Sequence, residues 1–123
     1  MAEYYDNIEK ATRMNNDYRR VVATTPKSMQ LVLMSLLPGE EIGSEVHPHT
    51  TQFFRVEGGL GSATVNGEFY ALKDGMSLVV PPGAEHNIRN ISPTEKLKLY
   101  TIYTPPEHPP GTVQPTKPWN DHH

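Results

Sequence analysis

The chain has 123 residues, enough for one domain with its own core, and 11 Lys and Arg against 14 Asp and Glu give a formal charge of -3. No block of like charges occurs, so the pattern of a nucleic-acid-binding protein is absent, and the lack of cysteine excludes disulfides and thiolate metal sites. The first residues are polar and acidic, and no apolar run approaches the ~18 residues of a membrane span. We therefore expect a cytoplasmic protein that binds neither membranes nor nucleic acids.

Twelve prolines and nine glycines divide the chain into short segments whose apolar residues alternate or run together instead of repeating at helical spacing. A helical turn is predicted around Ile8 to Met14. The candidate strands that follow are residues 18–24, 29–36, 43–49, 52–58, 61–66, 68–72, 76–81, 86–92 and 96–104. Asn66-Gly67 predicts a two-residue hairpin, because a type I′ turn needs positive φ at both central positions. So many short strands predict an all-β sandwich or barrel.

Strand 29–36, MQLVLMSL, is apolar on both faces. Either an additional layer or a second subunit must cover the second face, and we favour a homodimer formed through this strand. The tail, residues 105–123, is too rich in proline for helix or strand, so we expect it to be irregular. His108 in this tail is expected to be exposed, with folding back over the barrel mouth as the alternative.

Five residues in DGMSLVVPPGAEHNIRN, namely Gly75, Pro81, Gly83, His86 and Asn90, are separated by five, one, two and three residues. This spacing resembles the second conserved motif of the cupin family at every position. Each member also has a physical reason. The first glycine turns the chain into a strand, PPG forms a tight turn at its end, and the histidine opens the next strand, where its ring can point into a barrel.

The first cupin motif, a glycine, a His-x-His pair, a glutamate and a closing glycine, is present in altered form upstream. A register that keeps Gly39 and Gly59 places Glu45 at the first histidine, His47 at the second and Gln52 at the glutamate. Residues two apart on a strand share a face, so the first two of these side chains would both point inward.

An alternative register uses His47 and His49 as the pair, but then the spacing to both Gly39 and Gln52 is wrong. We favour the first register. His49 shares the inward parity unless Pro48 turns it out, so it remains a candidate for the rim of the site or for a substitute ligand.

The resemblance implies a double-stranded β-helix, the cupin jelly-roll barrel, in a single domain of residues 1–123 with a barrel core at about 29–104. It also implies one divalent metal and a homodimer. The metal ligands carried over are Glu45, His47, Gln52 and His86, a nitrogen and oxygen set without sulfur that suits Fe, Mn, Ni or Zn. Gln52 could instead fill the site or hydrogen-bond within it.

The expected function is a small metal-dependent enzyme that either activates O₂, as a dioxygenase, or polarises a carbonyl of a small oxygen-containing substrate, as an isomerase or epimerase. Tyr103 and His49 are the candidates for a further catalytic group. The alternative is a non-catalytic module that binds a small ligand or a partner. Small cupins of this kind look similar to mannose-6-phosphate isomerase-like proteins.

The alternation of the strands also predicts which side chains fill the barrel. The predicted interior residues are Phe54, Val56, Met76, Leu78, Val80, Ile88 and Leu99. Arg55 and Arg89 alternate with them and should face outward, which would leave the pocket without a clamp for a phosphate group.

Overall fold

The computed structural model describes residues 1–118, which form one short helix followed by strands. The elements are α1 (Ile8–Met14), β1 (Arg19–Thr25), β2 (Met29–Leu36), β3 (Glu45–Val46), β4 (Thr51–Gly58), β5 (Leu60–Val65), β6 (Glu68–Lys73), β7 (Ser77–Val80), β8 (Glu85–Asn90), β9 (Leu97–Thr104) and β10 (Val113–Gln114). The helix begins at the Asn7 cap, whose side chain accepts from the backbone N–H of Lys10.

The strands form two antiparallel sheets that share one core. The larger sheet has the order β10-β1-β2-β9-β4-β7 and the smaller has the order β3-β8-β5-β6. Buried apolar side chains of both sheets pack together, among them Phe54 and Leu99 of the larger sheet and Ala63 and Ile88 of the smaller. The fold is the double-stranded β-helix that the sequence predicts.

The predicted hairpin at Asn66-Gly67 joins β5 to β6. Both residues have positive φ, 48° at Asn66 and 82° at Gly67, which is the conformation of a type I′ turn. The side-chain oxygen of Asn66 also accepts from the backbone N–H of Glu85 at 3.0 Å, so the turn is tied to the start of β8.

Both faces of β2 are covered within the single chain. The N-terminal segment supplies the additional layer: α1 packs on β2, β4 and β9, and Leu33, on the outer face of β2, is only 3% exposed. Arg13 at the end of the helix reaches Asp74, in the turn after β6, at 2.9 Å. The apolar second face of β2 therefore needs no partner subunit to cover it, and the homodimer stays a prediction without structural support from this strand.

Three details of the sequence prediction are wrong. Met76 is 43% exposed, because its backbone N–H closes the turn on Lys73 O before β7 begins. The predicted strand 43–49 is reduced to the two residues of β3, because the chain turns at residues 48 and 49. The tail is not wholly irregular, because Val113 pairs with Arg20 of β1 in the short strand β10. Residues 119–123 of the predicted tail lie outside the described residues.

The rest of the predicted interior is confirmed. Five of its members, Phe54, Val56, Val80, Ile88 and Leu99, are at most 2% exposed, and Leu78 packs against them while partly buried. Arg89 is exposed, and Arg55 pairs with Glu57 at 3.2 Å on the outer side of β4, so both arginines face away from the core as expected. In the described part of the chain, no helix is both long and apolar enough to cross a membrane.

Candidate metal centre

Three side chains that the sequence singles out converge inside the barrel. Glu45 on β3 is the register partner of His86 on β8, and His47 follows directly after β3. Glu45 and His86 are each 2% exposed, and the His47 side chain is 11% exposed. One ligand atom from each of the three lies within 4.8 Å of the other two, so the group could hold one metal ion.

The distances between the polar atoms are short. Nε2 of His47 and Nε2 of His86 each lie 3.8 Å from a different oxygen of Glu45. Nε2 of His86 lies 3.1 Å from Oε1 of Gln52, which projects from β4. Ligands of one ion at about 2.1 Å from it are roughly 3.0 to 3.5 Å apart, so the cluster is at or slightly wider than ligation distance.

The hydrogen bonds of His86 and Gln52 leave two acceptors facing each other. Nδ1 of His86 donates to the carbonyl of Ala84 at 3.1 Å, so in the neutral ring Nε2 carries a lone pair. The amide nitrogen of Gln52 donates to Oγ1 of Thr101 at 2.9 Å, so its oxygen faces that lone pair. Either a cation lies against both atoms, or the amide is turned over and its nitrogen donates to His86.

His47 carries the clearest unsatisfied group in the site. Its Nε2 is buried and has no hydrogen-bond partner, although a buried polar atom without a partner is costly. Its backbone is fixed, because the carbonyl of His47 accepts from the N–H of Gly83 at 2.9 Å. A metal ion that accepts this lone pair would remove the cost, so the residues present fit a bound divalent metal.

The pKa values of His47 and His86 shift in opposite directions. The adjacent carboxylate of Glu45 raises the pKa of His47, against burial, which lowers it. Burial lowers the pKa of His86, so this imidazole is neutral at neutral pH. A neutral imidazole is the form that binds a metal, so His86 needs no deprotonation on binding.

The candidate catalytic residues Tyr103 and His49 differ in position. Tyr103 on β9 is 2% exposed, and its ring meets that of His47 edge-on with centroids 5.8 Å apart. Burial raises the pKa of Tyr103 well above its ordinary value, so the hydroxyl stays protonated and can donate a hydrogen bond. His49 is exposed in the turn after β3 and does not join the cluster.

The start of the tail, the segment 105–108, which we call the strap, also reaches the site; the sequence offered this only as an alternative for His108 and gave no sign of it for Glu107. Oε1 of Glu107 lies 3.6 Å from Nδ1 of His47, and Nε2 of His108 lies 3.4 Å from the hydroxyl of Tyr103. Of the two states predicted for His108 the exposed one is wrong: its ring packs on that of Tyr103 at 5.2 Å and is half-buried, which agrees with the alternative that this residue folds back. Glu107 lies outside both motifs, so no spacing indicated its contact with His47.

The molecule is thus a double-stranded β-helix in which two imidazoles and a carboxylate converge inside the barrel, a ligand set that could hold a metal ion. A family model described as "Cupin domain" matches residues 32–103, and the chain belongs to this family.

Two proteins of similar sequence and one solved structure each match at least 90% of this chain. Uncharacterized protein L612 of Acanthamoeba polyphaga mimivirus is 44% identical over 118 residues, 94% of this chain and 73% of the relative. Uncharacterized protein YrkC of Bacillus subtilis is 44% identical over 117 residues, 90% of this chain and 62% of the relative. The crystal structure of BH2720 from Bacillus halodurans superposes with a TM-score of 0.87 at 40% identity, covering 92% of this chain and 89% of that one.

Proposed function

We propose that this cupin binds one divalent metal through Glu45, His47 and His86, with the oxygen of Gln52 as a fourth ligand, and acts as an enzyme on a small oxygen-containing substrate. The buried Nε2 of His47 has no hydrogen-bond partner, lies 3.8 Å from Oε2 of Glu45 and belongs to a three-residue cluster whose ligand atoms are within 4.8 Å of one another; this observation carries the proposal. Two imidazoles with one carboxylate, and no sulfur, suit Fe(II), Mn(II), Ni(II) or Zn(II).

A bound metal would supply a Lewis acid for a substrate carbonyl or, as ferrous iron, a centre for O₂ activation. The protein side chains do the rest. Tyr103 can donate a hydrogen bond to a substrate oxygen, since burial keeps its hydroxyl protonated. Phe54, whose ring lies 6.1 Å from that of His86, forms an apolar wall beside the cluster. Arg55 and Arg89 face outward, so neither serves a phosphate or carboxylate group inside the barrel.

The test is the metal content of protein freed of any purification tag, measured by mass spectrometry. We expect about one equivalent in the wild type and a large loss in both His47→Ala and His86→Ala. His49→Ala is the matched control, because it removes an exposed imidazole two residues from His47. A metal content far below one equivalent that is unchanged by the two site variants would overturn the proposed site.

A second candidate function, a binding module without catalysis, is favoured by the strap. Oε1 of Glu107 lies 3.6 Å from Nδ1 of His47 and Nε2 of His108 lies 3.4 Å from the hydroxyl of Tyr103, so the strap takes up space beside both side chains. This alternative predicts no turnover by the metal-loaded protein in oxygen-consumption and isomerisation screens, together with a rise in melting temperature on addition of a small ligand. Turnover that is lost in His47→Ala and kept in His49→Ala would decide for the enzyme.

A further inference from the structure

The strap is held in place by a buried side chain of β2, which lies more than 70 residues earlier in the chain. Gln30 on β2 is fully buried, and its Oε1 accepts from the backbone N–H of Glu107 at 3.3 Å and of His108 at 3.0 Å. Its amide nitrogen donates to the carbonyl of His108 at 2.6 Å and to Oγ1 of Thr24 at 3.0 Å. The two strap residues are therefore fixed by backbone hydrogen bonds, independently of what their side chains do.

The carboxylate of Glu107 is fixed as well. Its Oε1 accepts from the hydroxyl of Thr50 at 2.5 Å, and Thr50 is itself 3% exposed. The same oxygen lies 3.6 Å from Nδ1 of His47. The Glu107 side chain is 31% exposed, so this carboxylate is partly open to solvent where it faces Nδ1 of His47.

Two carboxylates thus lie on opposite sides of one imidazole. Oε2 of Glu45 lies 3.8 Å from Nε2 of His47, and Oε1 of Glu107 lies 3.6 Å from Nδ1. A neutral imidazole has one N–H, and the acceptor that each nitrogen faces decides which nitrogen carries it. With Glu45 alone, the proton would be drawn to Nε2, which is the wrong tautomer for a ligand whose Nε2 must offer a lone pair.

We infer that Glu107 is a positioning residue that holds the proton of neutral His47 on Nδ1 and leaves the lone pair of Nε2 facing Glu45 and His86. The inference rests on the proposed metal site and adds a residue that acts on it through His47. Gln30 and Glu107 both lie outside residues 32–103, the part of the chain that the cupin model matches. The two residues that place the carboxylate beside His47 therefore lie just before and just after the matched range.

The direct test is the tautomer of His47 in the full-length, metal-free protein, read from long-range ¹H–¹⁵N correlations of the imidazole rings at a pH above the pKa of His47. We expect the wild type to carry the proton on Nδ1, and Glu107→Ala to shift the population toward Nε2. Thr50→Val, which leaves the carboxylate but removes its anchor, should shift the population part of the way. Glu95→Ala, at an exposed carboxylate, is the matched control and should match the wild type.

Zinc titration of the same proteins gives the second readout. Loss of a partner that orients a metal-binding histidine costs about 10- to 100-fold in affinity, so we expect this loss in Glu107→Ala and none in Glu95→Ala. Glu107→Gln, which keeps an acceptor oxygen, should recover part of both the tautomer and the affinity. Thermal unfolding of the metal-free variants shows whether Glu107→Ala remains folded, and Thr50→Val carries the test if it does not.

A wild-type His47 protonated on Nε2, or an unchanged tautomer in both Glu107→Ala and Thr50→Val, would overturn the inference. Failure of the proposed function is a distinct outcome. If the wild type takes up no zinc, the metal site fails, while the spectrum of the metal-free protein still reports whether Glu107 sets the proton on His47.

Discussion

Metal binding should raise the thermal stability of the protein by an amount that follows from its size. For 123 residues the entropy of unfolding near the midpoint is about 0.26 kcal/mol/K, from about 2.1 cal/mol/K for each residue. A metal at 100 times its dissociation constant stabilises the native state by about 2.7 kcal/mol. The melting temperature should therefore rise by about 10 °C when zinc or manganese is added to the chelator-treated wild type.

Removal of one metal-binding side chain should make this rise in melting temperature smaller. If His47→Ala weakens binding about 100-fold, the stabilisation at the same metal concentration falls to about 0.4 kcal/mol, or under about 2 °C. His49→Ala should keep the full shift, because His49 is exposed and outside the cluster. Differential scanning calorimetry at fixed free metal measures all three proteins. A shift that survives His47→Ala and disappears in His49→Ala would refute the arrangement of ligands.

Three further predictions concern the metal-free barrel. Burial lowers the pKa of His86 in the folded protein. The unfolded chain therefore binds a proton here before the folded protein does, and the free energy of unfolding falls as the pH drops from about 6.5 toward the folded pKa. Urea unfolding above and below about pH 6.5 should show a smaller fall in the free energy of unfolding for His86→Gln than for the wild type. Asn90→Leu should cost about 2 to 4 kcal/mol in urea unfolding, because the fully buried amide makes three hydrogen bonds to backbone groups, and a neutral result would refute this role. Gly59→Ala should destabilise the protein more than Gly67→Ala. Both glycines have positive φ, but of the two only Gly59 would place a Cβ against a backbone oxygen, 2.4 Å from that of Lys96. Equal losses in the free energy of unfolding would contradict this prediction.

Local signals in the sequence are enough to predict most of the fold. The Asn66-Gly67 turn and the alternation in β4 and β8 depend on neighbouring residues, and the structure confirms both. Met76 keeps the parity of an interior residue but lies in a turn, which alternation alone does not detect. The covering of Leu33 by the N-terminal segment is a long-range contact, so the sequence left open whether an added layer or a partner covered β2.

The site was predictable only where a motif carried its residues. Spacing from Gly39 and Gly59 indicated Glu45 and His47, and the second motif indicated His86. The structure brings these three together, while His49 lies outside the cluster. The contact of Glu107 with His47 joins residues 60 positions apart and depends on the hydrogen bonds of Gln30 to the strap backbone, so neither periodicity nor spacing could indicate it.

Whether this cupin barrel holds one metal can be seen by crystallography of tag-free protein, with anomalous data collected at the absorption edge of the metal found in it. We expect one anomalous peak bounded by Glu45, His47 and His86, with the oxygen rather than the nitrogen of Gln52 turned toward it. The absence of a peak at this position, together with a direct hydrogen bond from the Gln52 amide nitrogen to His86, would contradict it.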